Sequence, residues 1–200
     1  MRHFLLAVLL VVAWATGAVA GPLEDANSAI QRGDFTLGMK LLRPLAEQGD
    51  AQAQSNLGGM YMAGQGVPQD EQAAVQWWRK AAAQGDAAAQ YNLGVSYQDG
   101  RGVPQDSKEA VQWWRKAAAQ GDGQAQVDLG VMYVKGQGVP QDVIRAFMWF
   151  SVAGTASSYD VGRVAMNYRD RVVSKMTAAQ IAKAQEMARR CQQSKFKECD

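Results

Sequence analysis

Apolar residues along this chain recur at helical spacing rather than in the alternation of a strand. From residue 51 to residue 158 the pattern also repeats in register, 36 residues at a time (57 to 93 to 129). The recurring positions are Leu57, Leu93 and Leu129; Gly58, Gly94 and Gly130; Tyr61, Tyr97 and Tyr133; Pro68, Pro104 and Pro140; and Trp77, Trp113 and Trp149. A fixed period of this size marks a solenoid stacked from one supersecondary unit. Within a unit, Ala53, Leu57 and Tyr61 stand at i, i+4 and i+8, which places them along one buried stripe of a first helix. A second helix carries Ala74, Trp77, Trp78 and Ala81 inward or partly inward. Trp77, Trp113 and Trp149 are expected in the core between helices. Trp78 and Trp114, about 100° further around the helix, are expected to be half exposed.

Local punctuation divides each unit into helix, loop and helix. Asp50, Asp86 and Asp122 stand where an N-cap is wanted, each behind a glycine suited to the left-handed end of the preceding helix. Gly58 and its copies lie beside the apolar stripe and predict a close approach of helices, since a lone glycine otherwise costs about 1 kcal/mol against alanine. The GxGVPQD loop ends in Asp70, Asp106 and Asp142, predicted caps of the second helix. Glu109, three residues after Asp106, resembles the partner in a capping box. The predicted units are 51–86, 87–122 and 123–158. In the third, Phe150 replaces the second tryptophan and Ser157-Ser158 replace the closing Gly-Asp.

The flanks read as terminal caps. Residues 21–50 predict a shortened first helix, a turn at Gly33-Asp34 and a second helix in register with those of the repeats, ending in the same AxQGD. Residues 159–200 predict a helix over 160–173 and a last one to about Gln193, opened by a capping box of Thr177 and Gln180. End units of solenoids need an altered outer face to stay soluble, which accounts for their divergence.

Residues 1–20 predict a cleavable export signal. Arg2 and His3 form a basic start, Phe4 to Trp14 are apolar, and Ala18-Val19-Ala20 is a cleavage signature with the cut after Ala20. The apolar run falls short of the roughly 20 residues of a spanning helix, and no cysteine follows the cut to take a lipid. The expected product is periplasmic or secreted, with no stable membrane insertion after cleavage.

Charge and composition narrow the function by exclusion. Lys and Arg number 21 against 19 Asp and Glu, dispersed rather than gathered on one face, so no nucleic-acid partner is expected. His3 is the one histidine in the chain, and removal of the signal leaves none. Ser-His-Asp catalysis, Cys-His catalysis and histidine-ligated metal all need an imidazole. No catalytic residue, metal or cofactor is therefore expected. The glycine-rich loop lacks G-x-x-x-x-G-K-[ST] and does not follow a strand, so it is no phosphate cradle. Cys191 and Cys199 form an even pair in an exported chain and predict a disulfide that ties the tail to the last helix. Neither a CxxC nor further ligands accompany them.

The NLG-x-x-Y of the first helix, the GxGVPQD loop and the A-V-x-W-W-x-x-A-A-A-Q-G-D of the second resemble the Sel-1-like repeat family, a relative of the tetratricopeptide repeat with a longer loop. The resemblance implies an all-α, right-handed α-α superhelix that binds a protein or peptide on its concave face, as an adaptor, scaffold or regulator in the bacterial envelope. It places Gln52, Ser55, Asn56, Gly59, Met62 and Ala63 on that face in the first unit, and Ala88, Tyr91, Asn92, Val95, Gln98 and Asp99 in the second. In the third unit it places Gln124, Val127, Asp128, Val131, Val134 and Lys135 there. Such a groove is mixed and mildly apolar. It lacks the cluster of Lys and Arg that clamps a carboxylate tail, so an extended segment or helix held by shape and amide hydrogen bonds is expected. The seven residues between the cysteines resemble the cysteine-rich branch of the family, associated with penicillin binding and β-lactamase activity. No repeat here carries a cysteine, which departs from that branch. It supplies the alternative function, with a peptidoglycan-associated structural protein as another.

Overall fold

Aspartate caps and glycine stops close each predicted unit into a pair of helices, because they satisfy the backbone groups that helix ends leave open. The computed structural model describes residues 21–156 and 158–199; the expected signal segment and Ser157 lie outside them. The helices are α1 (Pro22–Gln31), α2 (Phe35–Glu47), α3 (Ala51–Ala63), α4 (Glu71–Ala83) and α5 (Ala87–Asp99). They continue with α6 (Ser107–Ala118), α7 (Gly123–Lys135), α8 (Val143–Ala156), α9 (Tyr159–Val173) and α10 (Ala178–Gln193). Among the described residues all regular structure is helical. The pairs α3–α4, α5–α6 and α7–α8 pack internally and then each against the next, which makes an all-α solenoid.

Asp50, Asp86 and Asp122 accept the N–H of Ala53, Ala89 and Ala125 at 2.7, 2.7 and 2.8 Å. Asp70 accepts from Ala73, Asp106 from Lys108 and Glu109, and Asp142 from Ile144 and Arg145. The Thr177–Gln180 capping box opens α10 as expected. Between pairs the chain turns through a Schellman motif: the Asp50 N–H donates to the Leu45 carbonyl at 3.0 Å across Gly49, whose φ is +100°.

The second glycine of each loop locks one unit onto the one before. A Cβ on Gly102 would stand 2.2 Å from the Glu71 carbonyl oxygen at the start of α4, and one on Gly138 equally close to that of Ser107 in α6. Gly66 meets the Phe35 carbonyl of α2 in the same way. Arg43, Arg79 and Arg115 likewise donate to the Tyr61, Tyr97 and Tyr133 hydroxyls of the following unit at 3.0, 2.9 and 2.8 Å. By both contacts α2 occupies the place of a second helix.

The tryptophan pairs reverse the expectation from sequence. Trp78 and Trp114 are the core residues, each 4% exposed, while Trp77 and Trp113 are half buried. The Trp78 indole lies on the bare Cα of Gly58 and donates through Nε1 to the Ser55 carbonyl at 3.0 Å. Trp114 lies on Gly94, and Phe150 takes the same place on Gly130. The ammonium groups of Lys80 and Lys116 cover the outer tryptophans at 4.0 and 3.9 Å from the Trp77 and Trp113 rings. Trp149 alone of its series is buried, because α10 packs across α8 and brings Ala184, Ala188 and Cys191 into the same core cluster.

Buried glutamines stitch the pairs together. Gln54, Gln90 and Gln126 donate to the carbonyls of Ala46, Ala82 and Ala118 at 3.0, 3.3 and 3.2 Å. The first two accept in turn from Gln84 and Gln120 at 2.9 Å. The sequence has Ala156 at the third such position, and the buried Gln126 Oε1 has no partner among the described residues.

Cys191 and Cys199 are joined in a disulfide. The tail it draws back passes through positive φ at Lys195 and Phe196, and the Phe196 ring rests by Gly121 in the turn between α6 and α7.

Candidate partner-binding groove

The first helix of each pair contributes to one wall, in the order α1, α3, α5, α7 and α9. Side chains link neighbours along it: Asn56 Nδ2 donates to Asn27 Oδ1 at 2.8 Å between α3 and α1. Further on, Tyr91 of α5 donates to Asp128 of α7. Asn56 and Asp128, at position 6 of their helices, thus reach back to the preceding first helix, and Tyr91, at position 5, reaches forward to the following one.

This geometry divides the residues expected to face a partner. Gln52, Ser55, Asn56, Gly59, Ala88 and Asn92 come together, with Asn27, Ile30 and Gln31 of α1, around a hollow of about 500 Å³. Gln52 and Ala88 are exposed and Asn56, Gly59 and Asn92 half buried, but Ser55 is only 8% exposed and presents little to a partner. Tyr91 and Val95 are half buried against the core cluster of the third unit. Gln124 is exposed beside them. Val127 is 2% exposed and belongs to the core that also holds Ala165 of α9, so it is withdrawn from the groove. Val131 lines a separate hollow of about 260 Å³ with Val134 and Lys135, where α7, α8 and α9 meet.

Asp128 is the electrostatically unusual member of the wall. Burial pushes its carboxyl up to about 6, against the downward pull of hydrogen bonds from Tyr91 and Gln124. The Asp122 and Asp99 carboxylates add to the rise. Burial, followed by the charge of Asp128, raises the Tyr91 hydroxyl too, which keeps it a neutral donor to that carboxylate.

Residues outside the repeats were not legible as part of this wall. Asn27, Ile30 and Gln31 complete the first hollow, and Tyr168, Arg171 and Lys175 the second. Neither α1 nor α9 carries the repeat pattern, so no register projected their faces. The amphipathic spacing of Val164, Tyr168 and Arg171, at i, i+4 and i+7, was the available signal.

Comparison with known proteins agrees with the architecture. The family model described as Sel1 repeat matches residues 51–86, 87–122 and 123–158. The chain is similar to the crystal structure of a protective antigen present in uropathogenic Escherichia coli strains, which displays an SLR fold. That likeness has 34% identity and a TM-score of 0.72 over 87% of this chain and 38% of the other. It is also similar to a Sel1 repeat protein from Oxalobacter formigenes, with 31% identity and a TM-score of 0.64 over 76% of this chain and 57% of that one. The chain thus spans well under two thirds of either relative. No curated protein matches it. Three tandem units in register, each with its aspartate caps, paired-glycine loop and aromatic ring seated on glycine, place this chain in the Sel1 repeat family.

Proposed function

We propose that this protein is an exported adaptor or regulator that holds a segment of a partner protein against the wall of first helices, the concave side of the solenoid. Sel1 repeats are in general protein–protein interaction modules. The observation that carries the reading is the hollow between α1, α3 and α5. Its lining is mainly amides and small side chains, with Ile30 and Met60 among them, and Gln31, Gln52 and Asn92 present their amides to it. An extended or helical segment fits such a surface through shape and amide hydrogen bonds. In this reading α1–α2 and α9–α10 are the terminal caps of the array.

Export is supported by the signal pattern of residues 1–20 and by the Cys191–Cys199 disulfide, a bond favoured in oxidising compartments. No described helix is long and apolar enough to cross a membrane. A non-catalytic role is supported by the absence of histidine after position 3.

Affinity capture from an envelope fraction tests the binding reading. The wild-type protein should retain a partner that a Gly59→Arg, Asn92→Arg variant loses, since the two arginines fill the hollow. Recovery of the same proteins by both, or of none by either, rejects it. N-terminal sequencing of the protein from the periplasm or medium should begin at Gly21.

A further inference from the structure

The groove expected from the repeats has no cluster of cations. The structure completes one by setting Arg171 and Lys175, from outside the repeats, in one hollow with Lys135 of the third unit. Where α7, α8 and α9 meet, the hollow of about 260 Å³ is lined by Val131, Val134, Val143, Phe150, Tyr168 and Val172. Its remaining lining is Gln141 and three cations: Lys135 from the end of α7, Arg171 from α9 and Lys175 from the turn after α9. All three cations are exposed, and no lining residue is acidic. The Gln141 amide is occupied by the Val134 carbonyl at 2.8 Å. The Tyr168 ring, 38% exposed, is fixed by stacking on Phe150 at 5.4 Å between centroids.

We infer that this hollow takes the C-terminal residue of a partner polypeptide, with an apolar side chain seated on the floor and the free carboxylate held by Lys135, Arg171 and Lys175. Size supports a single side chain: the space lies below the roughly 300–1,000 Å³ of sites for drug-sized ligands. Charge supports an anion, because three cations share one rim and no lining residue supplies a counter-charge. The compactness of the hollow selects the terminal residue over an internal acidic one. In an extended segment successive side chains point to opposite faces, so an aspartate and its apolar neighbour cannot both enter. A C-terminal leucine or phenylalanine carries both groups on one Cα. Arginine with two lysines is suited to this task, since the guanidinium offers a carboxylate two parallel donors.

This inference deepens the reading of the first-helix wall as the docking face and adds a chemical end-point to it. The test is a titration of the ¹⁵N-labelled protein, followed by NMR, with three acetylated pentapeptides. One is Gly-Ser-Gly-Ser-Leu with a free C-terminus. The second is its C-terminal amide, and the third is the amide of Gly-Ser-Leu-Glu-Gly. The free acid should shift the amides around Val131, Tyr168 and Arg171, and bind at least tenfold more tightly than either amide. An Arg171→Glu, Lys175→Glu variant, changed at exposed positions and melting as wild type, should lose the free-acid shifts. Absence of shifts, equal binding of the amidated leucine peptide, or preference for the internal glutamate each overturns the proposal. Capture of the same envelope partner by this variant and by wild type also overturns it, while leaving the wider groove reading intact. Loss of that partner only in the Gly59→Arg, Asn92→Arg variant would overturn it equally.

Discussion

The Trp78 indole rests on the Cα of Gly58, where a Cβ would stand 2.4 Å from its Cδ1 and Nε1. The same pairing joins Trp114 to Gly94, and Phe150 to Gly130 with a 2.5 Å approach. It explains why a glycine recurs in the middle of a helix: the ring needs the space that any side chain would fill.

Gly94→Ala should therefore destabilise the protein although it improves helix propensity. Alanine gains about 1 kcal/mol from propensity, but displacing a fully packed indole costs roughly 1–3 kcal/mol or more. Urea unfolding should show a net loss of up to about 2 kcal/mol, with Gly59→Ala, where nothing lies within 4 Å, as a neutral or stabilising control. A stabilised Gly94→Ala protein would contradict the packing.

Trp78→Phe and Trp114→Phe should differ. Trp78 Nε1 has a partner in the Ser55 carbonyl, whereas the buried Trp114 Nε1 has none among the described residues. Phenylalanine already fills this place at Phe150. Both changes lose packing, and the first also forfeits a hydrogen bond worth about 1 kcal/mol. Trp114→Phe should be the milder by that margin in paired unfolding curves.

Asp128 should make stability depend on pH. Its carboxyl is raised to about 6 in the folded protein, so folding favours the protonated form. The contribution is complete below the ordinary carboxylate range near 4 and is lost as pH rises through 6. It is bounded at about 3 kcal/mol, and less for a half-buried group. Asp128→Asn should be more stable than wild type at pH 8 by roughly 1–2 kcal/mol, with the difference shrinking toward pH 4. A constant difference across that range would refute the assignment.

Reduction should loosen the end of the molecule before the rest. The disulfide closes a short loop, for which chain entropy predicts about 2–3 kcal/mol. It also holds Phe196 by Gly121. With Cys199→Ser, protease cleavage after Lys195 and Lys197 should accelerate while the helices up to α7 keep their protection from hydrogen exchange. Unchanged cleavage would mean the tail is held by Phe196 alone.

The helix starts, the helix stops and the loop were legible because each rests on contacts within a few residues. Asp86 reaches the Ala89 N–H whatever the rest of the chain does, and the Gly85 turn needs only its own φ. The expected Trp77 core failed for the opposite reason. Neighbouring residues on a helix differ by about 100°, and which one turns inward depends on the glycine across the pair. For Trp149 the outcome reversed again, because α10 covers α8 and no equivalent described helix lies over α4 or α6.

What the sequence by itself determined is the unit: its period, its two helices, its caps and the residues offered by each first helix. Tertiary structure alone decided how the wall is divided. Packing at the α7–α9 seam withdrew Val127, and α1 completed the hollow around Asn56 and Asn92. The same packing set Arg171 and Lys175 beside Lys135. Local hydrogen bonds are written in spacing along the chain. The placement of one helix face against another is the sum of many small, nondirectional contacts between residues far apart in sequence, and no short motif encodes it.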